Sequence, residues 1–118
     1  MATVLIVDDS RTSRKILRGL LERAGFVITG EAVNGEDGYL KYKELQPDIV
    51  TMDITMPVMD GIEALKAIKQ KYPDQKVLMV SAAGQKAKVI DSLKYGAADF
   101  IQKPFDPDDV YAVLAKLF

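Results

Sequence analysis

Two hydrophobic periods alternate along the chain. Val4-Leu5-Ile6-Val7 is a continuous apolar run ending in two acids, the pattern of a strand covered on both faces. From Ser10 the spacing becomes helical. Ile16, Leu17, Leu20, Leu21 and Ala24 form one stripe, and Gly25 offers a stop. Residues 27–33 (VITGEAV) predict a weaker strand whose Gly30 and Glu31 place it at a sheet edge. A helix follows from Gly35 to Leu45, closed by Pro47, and then a third strand from Ile49 to Met52. The next helix, Gly61 to Tyr72, turns Ile62, Leu65 and Ile68 inward and ends before Pro73. Lys76 to Ser81 reads as the fourth strand. Gln85 to Tyr95 reads as the fourth helix, showing Val89, Ile90 and Leu93. Asp99 to Gln102 is a short fifth strand. The last helix starts near Pro107, with Asp108 and Asp109 in its electropositive first turn, and buries Val110, Val113, Leu114 and Leu117.

A strand–helix unit occurring five times with short connections predicts an α/β fold, an open parallel sheet in a three-layer sandwich. Right-handed crossovers restrict the strand orders, and a closed eight-stranded barrel would need about twice the length. No linker, internal repeat or low-complexity tract interrupts the pattern. A single domain over 1–118 is therefore expected, with the last helix running to residue 118.

Composition narrows the chemistry. Sixteen Lys and Arg against 17 Asp and Glu leave a formal net charge of -1, so broad electrostatic capture of nucleic acid or an anionic membrane is not expected. Without cysteine there are no disulfides, thiolate metal sites or thiol nucleophiles. Without histidine the usual general base and the usual zinc ligand are missing, so any metal must be held by oxygen. The apolar start, MATVLIVDD, has no basic flank and is too short for a signal peptide or a membrane span, so a cytoplasmic protein is expected.

The informative polar residues share one place in this architecture. Asp8 and Asp9 end the first strand, Asp53 the third and Ser81 the fourth, while Lys103 follows the fifth. In a parallel sheet those ends line one edge, where ligand crevices form at the point of strand-order reversal. With the second strand at the edge, Asp8, Asp9 and Asp53 face one another across that point. Crowded carboxylates repel, and a divalent cation relieves them; carboxylate and carbonyl oxygens suit magnesium. Asp9 and Asp53 are expected as direct ligands, Asp8 directly or through water, with the Thr55 carbonyl as a further ligand. The lesser alternatives are that Asp8-Asp9 merely caps the first helix and that Asp53 is a strand-ending turn acid. Lys103, restricted by Pro104, can reach Asp53 or a phosphoryl group on it, and Ser81 can donate its hydroxyl there. A metal and two donors around one acid suit phosphoryl transfer, with Asp53 as the nucleophile.

VDDS at 7–10, MDITMP at 52–57, Ser81-Ala82 and KPF at 103–105 resemble the receiver domain of bacterial two-component response regulators, and among these the single-domain chemotaxis regulators. The resemblance covers essentially the whole chain. It implies a flavodoxin-like fold with sheet order 2-1-3-4-5, phosphorylation of Asp53 by a histidine kinase or phosphotransfer protein, and magnesium held by Asp8, Asp9, Asp53 and the Thr55 carbonyl. It also implies Ser81 as the switch hydroxyl, Lys103 as the family's lysine, a cis Lys103-Pro104 peptide, and Phe100 as the switch aromatic. Phe100 lacks the hydroxyl of the tyrosine found in the best-known chemotaxis regulators. Thr55 and Ala83 occupy the two positions that, in the family, tune the lifetime of the phosphoryl group.

The function implied is a signalling switch and not a metabolic enzyme. Phosphorylation would shift the surface of the fourth helix, fifth strand and fifth helix, and so bias binding of a downstream protein. With no output domain in the sequence, output is expected through a docked partner. A monomer is expected, with a weak dimer through that same surface as the alternative. The main rival is a small aspartate-nucleophile phosphatase or phosphotransferase, which would usually carry a second acid where Thr55 stands. A flavin carrier would need N–H donors where DDSRTSR puts two acids.

Overall fold

The computed structural model describes residues 1–118. Five strands and five helices alternate: β1 (Thr3–Val7), α1 (Arg11–Arg23), β2 (Val27–Ala32), α2 (Gly35–Leu45), β3 (Ile49–Asp53), α3 (Gly61–Lys71), β4 (Lys76–Ser81), α4 (Lys86–Lys94), β5 (Asp99–Gln102) and α5 (Pro107–Leu117). The strands form one sheet in the order β2-β1-β3-β4-β5, all parallel, the flavodoxin-like arrangement expected. β2 lies at an edge, as its broken apolar pattern predicts. Its register slips between Val4 and Leu5 of β1, so that Leu5 pairs with Gly30. A Cβ on Gly30 would stand 2.7 Å from the Leu45 methyl, so the bare position is where the Leu45 side chain at the end of α2 packs on the edge strand.

The continuous apolar runs conceal a strict two-residue alternation. Val4, Ile6, Ile49, Leu78, Val80 and Ile101 face α1 and α5, where they meet Leu17, Leu20, Leu21, Val110 and Leu114. Leu5, Val7, Val50, Met52, Val77 and Met79 face the other way, against Tyr42, Ala64, Leu65, Ile68 and Val89. Two cores therefore share one sheet, which is why its central strands cannot show a polar face.

Helix starts follow local chemistry. Ser10 caps α1 by accepting from the Ser13 N–H at 3.2 Å, and Asp60 and Glu63 form a reciprocal capping box on α3. Asp106 caps α5, with Pro107 in its first turn. α4 alone has no side-chain cap among its hydrogen bonds; its preceding residue is Gln85.

The helix stripes need correction. Ile16 and Ala24 are exposed: Ile16 lies off the buried line through Leu17, Leu20 and Leu21, and Ala24 is the C-cap, past the last residue of α1. On α4 the inward residues are Val89 and Ser92, not Ile90 and Leu93, which are exposed. Ser92 tolerates full burial because its hydroxyl donates to the Val89 carbonyl at 2.7 Å within its own turn. Val113, Leu117 and Ile62 are only partly buried at the margins of the cores. No helix is long and apolar enough to cross a membrane.

One buried group lacks a partner. The Thr51 hydroxyl, in the middle of β3, is sealed from solvent and makes no hydrogen bond. Replacing it with a methyl group removes an unmet desolvation penalty, so Thr51→Val is expected to raise unfolding stability by about 1 kcal/mol. Urea unfolding measures this, and a loss of stability would show that the hydroxyl has a partner.

Candidate functional site

Alternation along the strands also assigns the polar residues to sides. Asp53 follows Ile49 and Thr51 on the α1/α5 side of β3, and Asp8 and Lys103 continue that side beyond β1 and β5. Ser81 follows Val77 and Met79 on the opposite side of β4. Carboxylate oxygens of Asp8, Asp9 and Asp53 lie within 4.8 Å of one another at the carboxyl edge of the sheet. Asp8 and Asp53 are only 3% and 6% exposed, whereas Asp9 is open to solvent.

The Lys103 ammonium is shared between two of these acids, 2.8 Å from Asp8 Oδ2 and 3.5 Å from Asp53 Oδ2. It thus sits closer to Asp8 than to the acid that sequence reasoning paired it with. The Lys103-Pro104 peptide is cis, and the Lys103 N–H donates to the Ser81 carbonyl at 2.8 Å. Asp8 Oδ1 accepts from the Ser10 N–H at 2.8 Å, so the acid pair also orders the start of α1.

Burial raises the pKa of Asp53 to about 6, the negative charge of Asp8 adds to it, and Lys103 opposes both. For Lys103 burial works against the charge, yet hydrogen bonding and attraction to Asp8 and Asp53 leave its pKa above the ordinary lysine value. Asp53 is therefore a more basic carboxylate than usual that is still largely ionised at neutral pH.

Behind the acids lies a network that the sequence reading did not identify. Arg14 Nη1 donates to the Asp8 carbonyl at 2.7 Å, and its Nε donates to Glu31 at 3.0 Å. Arg18 donates to the other Glu31 oxygen at 2.7 Å. Burial pushes the Glu31 carboxyl up, but the two guanidinium groups outweigh it and hold the pKa below the usual range. The signal was present: Arg14 and Arg18 stand four residues apart on α1, with one acid on the strand beside them.

Two loops complete the rim. After β3 the chain passes through Val58, a β-branched residue held at φ 69°, before α3 begins. A Cβ on Gly61 would collide with the Asp53 carbonyl, and the Gly61 N–H donates to the Ile54 carbonyl at 2.7 Å, so α3 rests directly on the end of β3. Thr55 is exposed in this loop. Its hydroxyl accepts from Gln85 Nε2 at 2.7 Å, while Gln85 Oε1 accepts from the Ala82 N–H at 2.7 Å. Ala83 is exposed and lies outside these contacts. The Ser81 hydroxyl is buried and directed to the Ile101 carbonyl at 3.5 Å. Phe100 is 39% exposed and, with Ser81, Gln85 and Val89, lines a pocket of about 350 Å³ beside the site.

The donor set fits a hard divalent cation. At magnesium–oxygen distances of about 2.0–2.1 Å, opposite ligands stand about 4.2 Å apart. Oxygens already within 4.8 Å of one another need only small side-chain adjustments to share one ion.

The chain matches the response regulator receiver domain family over residues 4–115. It is 52% identical to the chemotaxis protein CheY of Thermotoga maritima, over 97% of this chain and 95% of that one. It is 50% identical to the CheY of Bacillus subtilis, over 96% and 94% of the respective chains. Among solved structures, the CheX–CheY–BeF3–Mg complex from Borrelia burgdorferi superposes with a TM-score of 0.94 at 42% identity, covering 99% of this chain and 89% of that one.

The raised pKa of Asp53 carries a sign. A folded carboxyl that titrates near 6 holds its proton where the unfolded one, near 3.8, has lost it. Its contribution favours folding below the unfolded value and is lost as pH rises towards 6. In chelator-treated buffer at pH 7.5, Asp53→Asn is therefore expected to melt above the parent by roughly 4 °C, about 1 kcal/mol after solvent screening. That gap should shrink toward pH 4.5. A gap independent of pH would mean that Asp53 is not destabilised by its ionised state.

Proposed function

The chain belongs to the response regulator receiver domain family, and on that premise we propose that Asp53 is its phosphoacceptor in a magnesium-dependent signalling switch. As a receiver domain it catalyses only its own phosphorylation and dephosphorylation. The observation that carries the assignment is the convergence of Asp8, Asp9 and Asp53, with Lys103 between two of them, at the carboxyl edge of a parallel sheet.

In the forward step an Asp53 carboxylate oxygen attacks phosphorus in line. The bond from phosphorus to the donor breaks, and the leaving imidazole nitrogen or acyl oxygen departs with the bonding pair. Asp53 is suited to this by its raised basicity and by being largely ionised at neutral pH. In the separate dephosphorylation step water attacks phosphorus, the Asp53 oxygen leaves as carboxylate, and the water's proton passes to the phosphate or solvent. Lys103 lies close enough to Asp53 to take up charge on the transferring oxygens, and Ser81 can turn its hydroxyl from Ile101 toward them. Magnesium held by Asp8, Asp9, Asp53 and the Thr55 carbonyl would neutralise charge on those same oxygens.

Ile90, Leu93, Tyr95 and Phe100 lie exposed along α4 and β5, an apolar surface suited to docking a downstream protein. Rotation of Ser81 toward a phosphoryl group would open room for Phe100 in the pocket they share, changing that surface. Phe100 serves as the switch aromatic, and Thr55 and Ala83 set the lifetime of the phosphoryl group. The phosphodonor is a sensor histidine kinase or phosphotransfer protein, and similarity to two CheY proteins supports a place in chemotaxis. The protein acts in the cytoplasm as a monomer, without nucleic acid.

Incubation with acetyl phosphate and magnesium is expected to add one phosphoryl group, located on Asp53 by peptide mass spectrometry, and chelation should abolish it. The assignment fails if no adduct forms or if Asp53→Ala still carries it.

A further inference from the structure

Gln85 makes the only side-chain bridge between the loops after β3 and β4 among the hydrogen bonds of the structure, and its position gives it more than a bracing role. The Val80 carbonyl accepts from the Ile54 N–H at 3.1 Å, so Val80 turns its peptide toward β3. In a parallel ladder alternate residues point the same way, so Ala82, two residues on, aims its N–H at the gap above Asp53. The next ladder acceptor, the Ile54 carbonyl, is already taken by the Gly61 N–H at 2.7 Å. The Ala82 N–H is instead occupied by Gln85 Oε1 at 2.7 Å, and the other end of the same carboxamide holds the Thr55 hydroxyl at 2.7 Å.

We infer that Gln85 is a latch of the resting state, its carboxamide holding the Ala82 N–H that a phosphoryl group on Asp53 would otherwise take. This positioning role rests on the reading of Asp53 as phosphoacceptor. A phosphoryl oxygen is a stronger acceptor than a neutral amide, so it displaces Gln85 Oε1 and frees the Thr55 end as well. Release is felt at once by α4. That helix starts at the very next residue, Lys86, has no side-chain cap, and is preceded by Gly84 at φ 82°. The latch thus links charge at Asp53 to the freedom of the first turn of α4, and it makes a phosphoryl group compete with an internal ligand.

The test uses beryllofluoride with magnesium as the phosphoryl probe, titrated against the full chain and followed by amide NMR. Gln85→Ala and Gln85→Met, the second of which keeps the bulk of the side chain, should each bind it about 3- to 10-fold more tightly than the parent, the weight of one ordinary hydrogen bond. Without the probe, both variants should also exchange the Ala82 amide with solvent faster. A simple loop brace would instead lower the melting temperature with analogue affinity unchanged or weaker, and that result overturns the latch. Unchanged Ala82 exchange overturns it too. If the parent itself does not bind beryllofluoride, the phosphoacceptor reading fails and takes the latch with it; if the parent binds and the variants gain nothing, only the latch fails.

Discussion

Repulsion among three carboxylates, offset by one lysine, is the interaction around which this protein is organised. Asp8, Asp9 and Asp53 crowd within 4.8 Å, and Asp8 and Asp53 are both nearly sealed from water. Such a cluster is unfavourable unless cationic charge is brought to it. Lys103 supplies one charge from the end of β5, and Arg14 reaches the backbone of Asp8 from α1. The pKa of Asp53 remains raised even so, with burial the larger cause and Asp8 the second. The site therefore carries a standing affinity for further positive charge, and a basic carboxylate that can use it.

The rest of the fold reads as the means of holding that cluster in place. Apolar alternation along β1, β3 and β5 fixes Asp8, Asp53 and Lys103 on one side of the sheet, while β4 puts Ser81 on the other. Bare positions at Gly61 and Gly30 let α3 and α2 approach the strands closely. The Arg14–Glu31–Arg18 network anchors α1 to β2 behind the acid pair. The strands thus present Asp53 and Asp8 at the carboxyl edge, and the β4–α4 loop beside them leads into the one helix without a side-chain cap.

Much of this was legible in the sequence. The short continuous apolar runs, the period of the helices and the punctuation by Gly25, Pro47, Pro73 and Pro107 imply both element order and sheet class. Acids at strand ends imply a shared edge because parallel strands all end on one side. What was not legible depends on rotation and on side-chain reach. Ile16, Ile90 and Leu93 match a helical stripe by spacing, yet burial on α4 goes through Val89 and Ser92 because the hydroxyl satisfies itself within the helix. Lys103 could be assigned to the acid site, but its closer approach to Asp8 than to Asp53 required coordinates. Gln85 looked like any polar helix start; its bridge spans 30 residues of sequence and has no local signature.

The most direct test of this account is calorimetric titration of magnesium in buffers of different ionisation enthalpy, between pH 5 and 8. If Asp53 titrates near 6 and the three acids share one ion, each chain should take up one magnesium. Affinity should then rise with pH, and proton release should be greatest at or below pH 6 and fade by pH 8. Binding that is independent of pH with no proton released, or no binding at millimolar magnesium, would contradict the claim that carboxylate crowding governs the site.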